Sequence, residues 1–205
     1  MYARIQTVDA LPDRADVDAY VDRLVVTIPT HPGFAGLYGL RSNDTAAARL
    51  VTLWDSAEDA MALPDRTRAK IGPRPVEPDT DLIYEVRDDH PGVARDATPM
   101  AATMAWWPAM DEQTAAVGRT VRRERLAPAV CAVPGVVRVL ALFQPDTHEP
   151  CALGLLTAPE VAEAVRAAVD AVELPADQRW TQSPDRFERY QVSATGAGRI
   201  ASAVT

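Results

Sequence analysis

Seven side chains in the first half of this chain have the types needed to hold a small organic anion. Thr52 and Trp54 lie two residues apart and so share one face of a strand, where an indole N–H can orient a carbonyl oxygen. Tyr38 falls on a neighbouring strand, with Phe34, Gly36 and Leu40 on its face by simple alternation. Arg4 on the opening strand can stabilise an enolate or a carboxylate, and Gln6 beside it is a neutral donor. Tyr84 occupies the closing strand, and His31 stands just before Pro32-Gly33, where it could serve as a base near neutral pH. Trp54, Tyr38 and His31 are therefore the catalytic candidates, and Arg4, Gln6, Thr52 and Tyr84 the substrate-binding candidates. Each has a plainer alternative: a core tryptophan, an outer solvated strand face for Arg4 and Gln6, and a solvated loop histidine.

Other chemistries lack their residues. The only histidines are His31, His90 and His148, each expected in a loop, and none stands at metal-ligand spacing from cysteines or carboxylates, so no metal is expected. Gly196-Ala197-Gly198-Arg199-Ile200-Ala201 matches a dinucleotide fingerprint in letters. It has no following βαβ unit and no acid about 20 residues on, as that fingerprint requires, and reads as a tail. Cys131 and Cys151 read as structural thiols of a reduced, cytoplasmic protein. With 29 acidic against 21 basic residues the net charge is −8, which argues against nucleic-acid and anionic-membrane partners.

The elements that must position these residues occur twice. Residues 31–58 align without gaps on residues 133–160, an offset of 102 set by Pro32-Gly33 and Pro134-Gly135. The first half reads as a strand over 2–8 and a helix carried by Val17, Tyr20, Val21, Leu24 and Ile28. Strands over 34–41 and 49–54 follow, then a helix capped by Ser56 that Pro64 should shorten or end, and a closing strand over 82–86. The second half gives a strand over 101–107, a helix over 111–130, strands over 136–143 and 151–156, a helix behind a Thr157-x-x-Glu160 capping box, and a strand over 187–192. The 205 residues thus divide into an N-terminal module (1–90), a linker (91–99), a C-terminal module (100–195) and a tail (196–205). A β-α-β-β-α-β order is a split βαβ, ferredoxin-like unit, and the fold class expected is α+β: two such modules packed sheet to sheet as a pseudo-dimeric α+β barrel.

Pro32-Gly33-Phe34 opening a strand, with Leu53-Trp54-Asp55-Ser56 ending the next and Glu58 starting a helix, resembles the dimeric α+β barrel superfamily, in particular its antibiotic-biosynthesis monooxygenase branch. The resemblance implies a site between sheet and helices of one half, an active-site tryptophan at Trp54, and oxygen chemistry without metal, flavin or other cofactor. The substrate it implies is a small apolar, aromatic or polyketide-like molecule. Haem, used by some relatives, is disfavoured because no histidine here lies in a helical pattern. The branch often carries an asparagine on its opening strand, and residues 2–8 contain none. In the second half Leu156 replaces Trp54 and Leu140 replaces Tyr38, so a polar site, if retained, belongs to the first half. Two functions stay open: a cofactor-independent oxygenase, and a non-catalytic binding or scaffold protein. Self-association beyond the internal pseudo-dimer is left open too.

Overall fold

The computed structural model describes residues 1–12 and 15–197, with the side chains of residues 64–66 and 197 left aside. The dinucleotide-like run from Gly196 therefore lies largely outside the described residues. The fold is mixed α+β. Contact density divides it into unit 1, Met1–Glu85 with the segment beginning at Val192, and unit 2, Val86–Gln191.

Unit 1 contains β1 (Tyr2–Val8), α1 (Ala15–Thr27), β2 (Phe34–Ser42), β3 (Ala48–Trp54), α2 (Ala57–Ile71) and the first half of β4 (Thr80–Pro91). The strands pair antiparallel in the order β4-β1-β3-β2, the ferredoxin-like order. Both helices close one face: Tyr20 and Leu24 of α1, with Ile28 in the turn after it, pack with Ala60 and Leu63 over Phe34, Leu37 and Trp54. Ser56 caps α2 as expected, its Oγ accepting from the Asp59 N–H at 3.1 Å. Pro64 does not end the helix, which runs on to Ile71. A proline at that position has no N–H for the Ala60 carbonyl one turn earlier. Arg4 supplies the missing donor, its Nη1 lying 2.6 Å from the Ala60 oxygen.

Unit 2 contains the second half of β4, β5 (Ala101–Trp106), α3 (Glu112–Val121), α4 (Ala127–Cys131), β6 (Val136–Phe143), β7 (Pro150–Leu156), α5 (Val161–Asp170) and the first half of β8 (Arg186–Ala197). Its strands pair antiparallel in the order β8-β5-β7-β6. The single helix expected over 111–130 is interrupted: α3 passes into α4 through a π-helical turn at Arg122–Leu126. The expected capping box is not formed. The chain turns through Ala158–Glu160 before α5, and the Thr157 N–H goes to the Gly135 carbonyl at 2.9 Å. β4 and β8 are both longer than expected, and β4 takes in His90, which is thus a strand residue and not a loop residue.

Several details recur between the units. Gly33 and Gly135 both have positive φ, 72° and 93°, and a Cβ at either would run into the next helix or its entry, at Asp59 or at Val161 and Thr157. Each is followed by a β-bulge, at Phe34/Gly36 and at Val136/Arg138.

Candidate functional site

The strand register sorts the candidate residues into rows across the helix-covered face of unit 1. One row is Tyr2, Trp54 and Phe34; the next is Arg4, Thr52 and Leu37; the third is Gln6, Leu50 and Gly39; the fourth is Val8, Ala48 and Arg41. The first two rows are filled. Trp54 is fully buried, its ring meets Phe34 edge to face at 5.7 Å, and its Nε1 donates to Thr52 Oγ1 at 2.8 Å. Arg4 holds Asp81 with two bonds, Nε to Oδ1 at 2.6 Å and Nη2 to Oδ2 at 2.5 Å, besides its bond to α2. Gln6 Nε2 adds a third bond to Asp81 at 2.7 Å. Burial works to raise the Asp81 carboxyl, but the hydrogen bonds from Arg4 and Gln6 and the Arg4 charge outweigh it and hold this acid below its ordinary range.

The third and fourth rows are open. Over them lies a cavity of about 310 Å³, roofed by Val17, Tyr20 and Leu24 of α1 and by Leu63 and Thr67 of α2. That volume is at the low end of small-molecule pockets, which begin at roughly 300 Å³. The buried polar groups of its lining are Gln6, Tyr20 and Thr67, while Asp18, Asp22, Arg41, Arg49, Arg74 and Ser193 line it from more exposed positions. The Gln6 amide lies on the floor. Burial pushes the Tyr20 phenol above its ordinary value against the opposing pull of Arg74, which hydrogen-bonds to it, so the hydroxyl stays protonated at neutral pH. Thr67 is 3% exposed, and its Oγ1 has no hydrogen-bond partner among the described residues. A buried hydroxyl left unmatched costs about 1–3 kcal/mol, which a ligand atom would offset.

The structure thus brings Arg4, Gln6, Thr52 and Trp54 onto one face, and of these only Gln6 reaches the cavity. Tyr38 pairs with Val51, and Tyr84 with Ala3, so both belong to the opposite face. Simple alternation misplaces Tyr38 because the bulge between Phe34 and Gly36 adds one residue, leaving Phe34 on the Trp54 face and turning Gly36, Tyr38 and Leu40 away. His31 is buried in the turn before β2, its N–H bonded to the Ile28 carbonyl at 2.9 Å, and it does not line the cavity. The residues missed from sequence are Tyr20 and Thr67. Tyr20 sits on the apolar stripe of α1, where its hydroxyl reads only as core, and Thr67 follows a proline that seemed to stop the helix.

Unit 2 has a smaller cavity of about 130 Å³, floored by Ala105, Ala152 and Ala141 side by side, with Thr103, Gly154 and Val139 in the next row. Among the described residues, no group of three or more His, Cys, Asp or Glu side chains is placed to hold a metal ion, and no helix is long and apolar enough to cross a membrane.

No family model and no curated protein matches this sequence. Solved structures do match it in fold. A candidate monooxygenase from Fusobacterium nucleatum superposes with a TM-score of 0.65 at 10% identity, covering 96% of this chain and 94% of that one. An anthrone oxidase-like protein gives 0.55 at 15% identity over 100% and 97%. A ferredoxin-fold protein related to antibiotic biosynthesis monooxygenases, from Listeria monocytogenes, gives 0.53 at 8% identity over 94% and 95%. At such identities the likeness is one of fold alone, a mixed α+β, ferredoxin-like arrangement.

Proposed function

We propose that this protein is a cofactor-independent oxygenase of the antibiotic-biosynthesis-monooxygenase type, and that its working site is the cavity of unit 1. The reading takes the chain as an internal duplication, with two βαββαβ modules standing in for the two subunits of a dimeric α+β barrel. The recurring glycine turns and bulges support that view. The observation that carries the functional reading is a cavity of about 310 Å³ whose buried polar groups are an amide, a phenol and an unmatched hydroxyl, with charged side chains only at its more exposed positions. A small aromatic or polyketide-like ketone fits this chemistry: apolar rings against Leu24, Leu50 and Leu63, oxygens to Gln6, Tyr20 and Thr67.

In this reading the substrate loses a proton to solvent, and the protonated Tyr20 hydroxyl stabilises the oxygen on which the negative charge settles. Molecular oxygen is the oxidant. An anthrone-like methylene becomes a ketone, one oxygen atom entering the product and the other leaving as water with the two hydrogens. Trp54, Thr52 and Arg4 act by position. They fill the rows beside the cavity, and Arg4 fixes Gln6 through Asp81. His31, Tyr38 and Tyr84 have supporting places outside the cavity.

A second reading, a non-catalytic binder of the same ligands, is favoured by one observation: the Trp54 indole N–H, the Thr52 hydroxyl and the Arg4 guanidinium are all engaged within the protein. Oxygen uptake and ligand binding, measured together on anthrone and hydroquinones, separate the two. The oxygenase reading expects one oxygen consumed per anthrone converted, at least tenfold slower in Tyr20→Phe. Binding without uptake transfers the protein to the second reading, and absence of binding overturns both.

A further inference from the structure

The cavity of unit 2 contains a feature its apolar strands do not announce. The π-helical turn between α3 and α4 starts at Arg122, whose side chain lines this cavity together with Leu126, Val130 and Val169. π-turns of this kind are frequent at functional sites, because the extra residue re-aims the side chains of the helix. The Arg122 guanidinium lies over the Trp107 ring, 5.1 Å from its centroid. Trp107 is fixed in turn by a hydrogen bond from its Nε1 to the Trp180 carbonyl at 3.2 Å. Gly118 leaves the space that the Trp180 ring and Arg122 Nη1 occupy: a Cβ there would lie 2.5 Å from the former and 3.2 Å from the latter.

So the arginine is built in, yet Nη1 is buried and has no hydrogen-bond partner among the described residues. Removal from water pushes its pKa down to about 10, which leaves it charged at neutral pH. The acid nearest in effect, Asp88, is already taken by Arg119 Nε at 2.9 Å. Arg123 and Arg166, paired with Glu124 and Asp170, also line the cavity, so in a chain of net charge −8 three arginines face the single lining carboxylate, among the described residues, of Asp88. A buried guanidinium with an open donor calls for an anion, since burying a charge without a partner is costly. Arginine matches the planar carboxylate best.

We propose that unit 2 is a second ligand site, for a small apolar monocarboxylate whose carboxylate meets Arg122 and whose hydrocarbon or ring rests on the alanine floor of Ala105, Ala152 and Ala141. The cavity volume of about 130 Å³ limits the ligand to roughly benzoate size. This site is separate from the oxygenase site of unit 1 and does not depend on it.

Titration calorimetry on the full chain tests this with sodium benzoate and hexanoate against the neutral analogues benzamide and hexanol, at constant chloride. The site predicts that benzoate binds at least tenfold more tightly than benzamide. Arg122→Gln abolishes that preference, bringing benzoate down to the affinity of benzamide. Ala152→Phe, which fills the floor and keeps the arginine, removes both. Circular dichroism and the melting temperature verify that each variant is folded. Equal affinity for benzoate and benzamide in the wild type, or a preference that survives Arg122→Gln, overturns the proposal. So does retention of full benzoate affinity in Ala152→Phe.

Discussion

The two units build the same frame and fill it differently. In unit 1 the rows beginning at Tyr2 and Arg4 are packed solid by Trp54, Phe34 and the Arg4 guanidinium, and the open space lies over Gln6 and Val8. In unit 2 the matching positions are Ala101 with Leu156, and Thr103 with Gly154. Here the space moves one row along, over Thr103 and Ala105. The polar lining also differs: in unit 1 the Gln6 amide rises from the sheet to meet Tyr20 and Thr67 of the helices, whereas in unit 2 the Thr103 hydroxyl rises from the sheet and a charged side chain, Arg122, descends from a helix. A shared backbone therefore fixes where a pocket can be, and the bulk of two rows decides where it is and what it can recognise.

The sharpest way to break this comparison is Arg4→Met. It strips Asp81 of its bidentate partner and leaves the Ala60 carbonyl without a donor, and removal of one member of such a network should cost about 3 kcal/mol. The equivalent change in unit 2, Thr103→Val, should stay within about 1 kcal/mol. Urea unfolding monitored on both variants checks the contrast, and similar losses would show that the first rows of the two units bear the same weight.

Trp54→Leu, which writes the unit 2 residue into unit 1, ranks next at about 2 kcal/mol from lost burial and a residual void. Its further consequence is a cavity that extends into the first row, so larger ring systems should bind to the variant than to the wild type.

Acid exposes the same asymmetry more gently. Because the Asp81 carboxyl titrates below its unfolded value, its share of stability is fully present above about pH 4 and disappears as the pH falls through the lowered folded value. Melting temperatures between pH 5 and pH 2 should therefore drop less steeply in Arg4→Met than in the wild type, whereas Thr103→Val should follow the wild-type curve.

The smallest effect concerns Thr67. Its buried hydroxyl has no partner among the described residues, so Thr67→Val should leave stability unchanged or raise it by up to about 1 kcal/mol. A stability loss of that size would mean the hydroxyl is already satisfied and is not waiting for a ligand.

Much of this frame was legible in the sequence, and the parts that were not share a cause. The apolar period of Val17, Tyr20 and Leu24, the Pro-Gly turns and the Ser56 cap all act locally, so residue type and spacing reveal them. The bulge after Phe34 and the π-turn at Arg122 each insert a single residue that leaves no compositional mark, yet each redirects every side chain beyond it. That is why alternation groups Tyr38 with Phe34, and why nothing in the helical pattern over 111–130 singles out Arg122. The continuation of α2 past Pro64 depends on a donor from Arg4, about sixty positions earlier, which no local window contains.

That last contact also bears on how the first unit assembles. A helical segment carrying a proline begins one bond short, and its carbonyl at Ala60 is satisfied only when the opening strand arrives with its guanidinium. The second helix can therefore reach full strength only after strand and helix have docked, so the two should gain protection from hydrogen exchange together and lose it together.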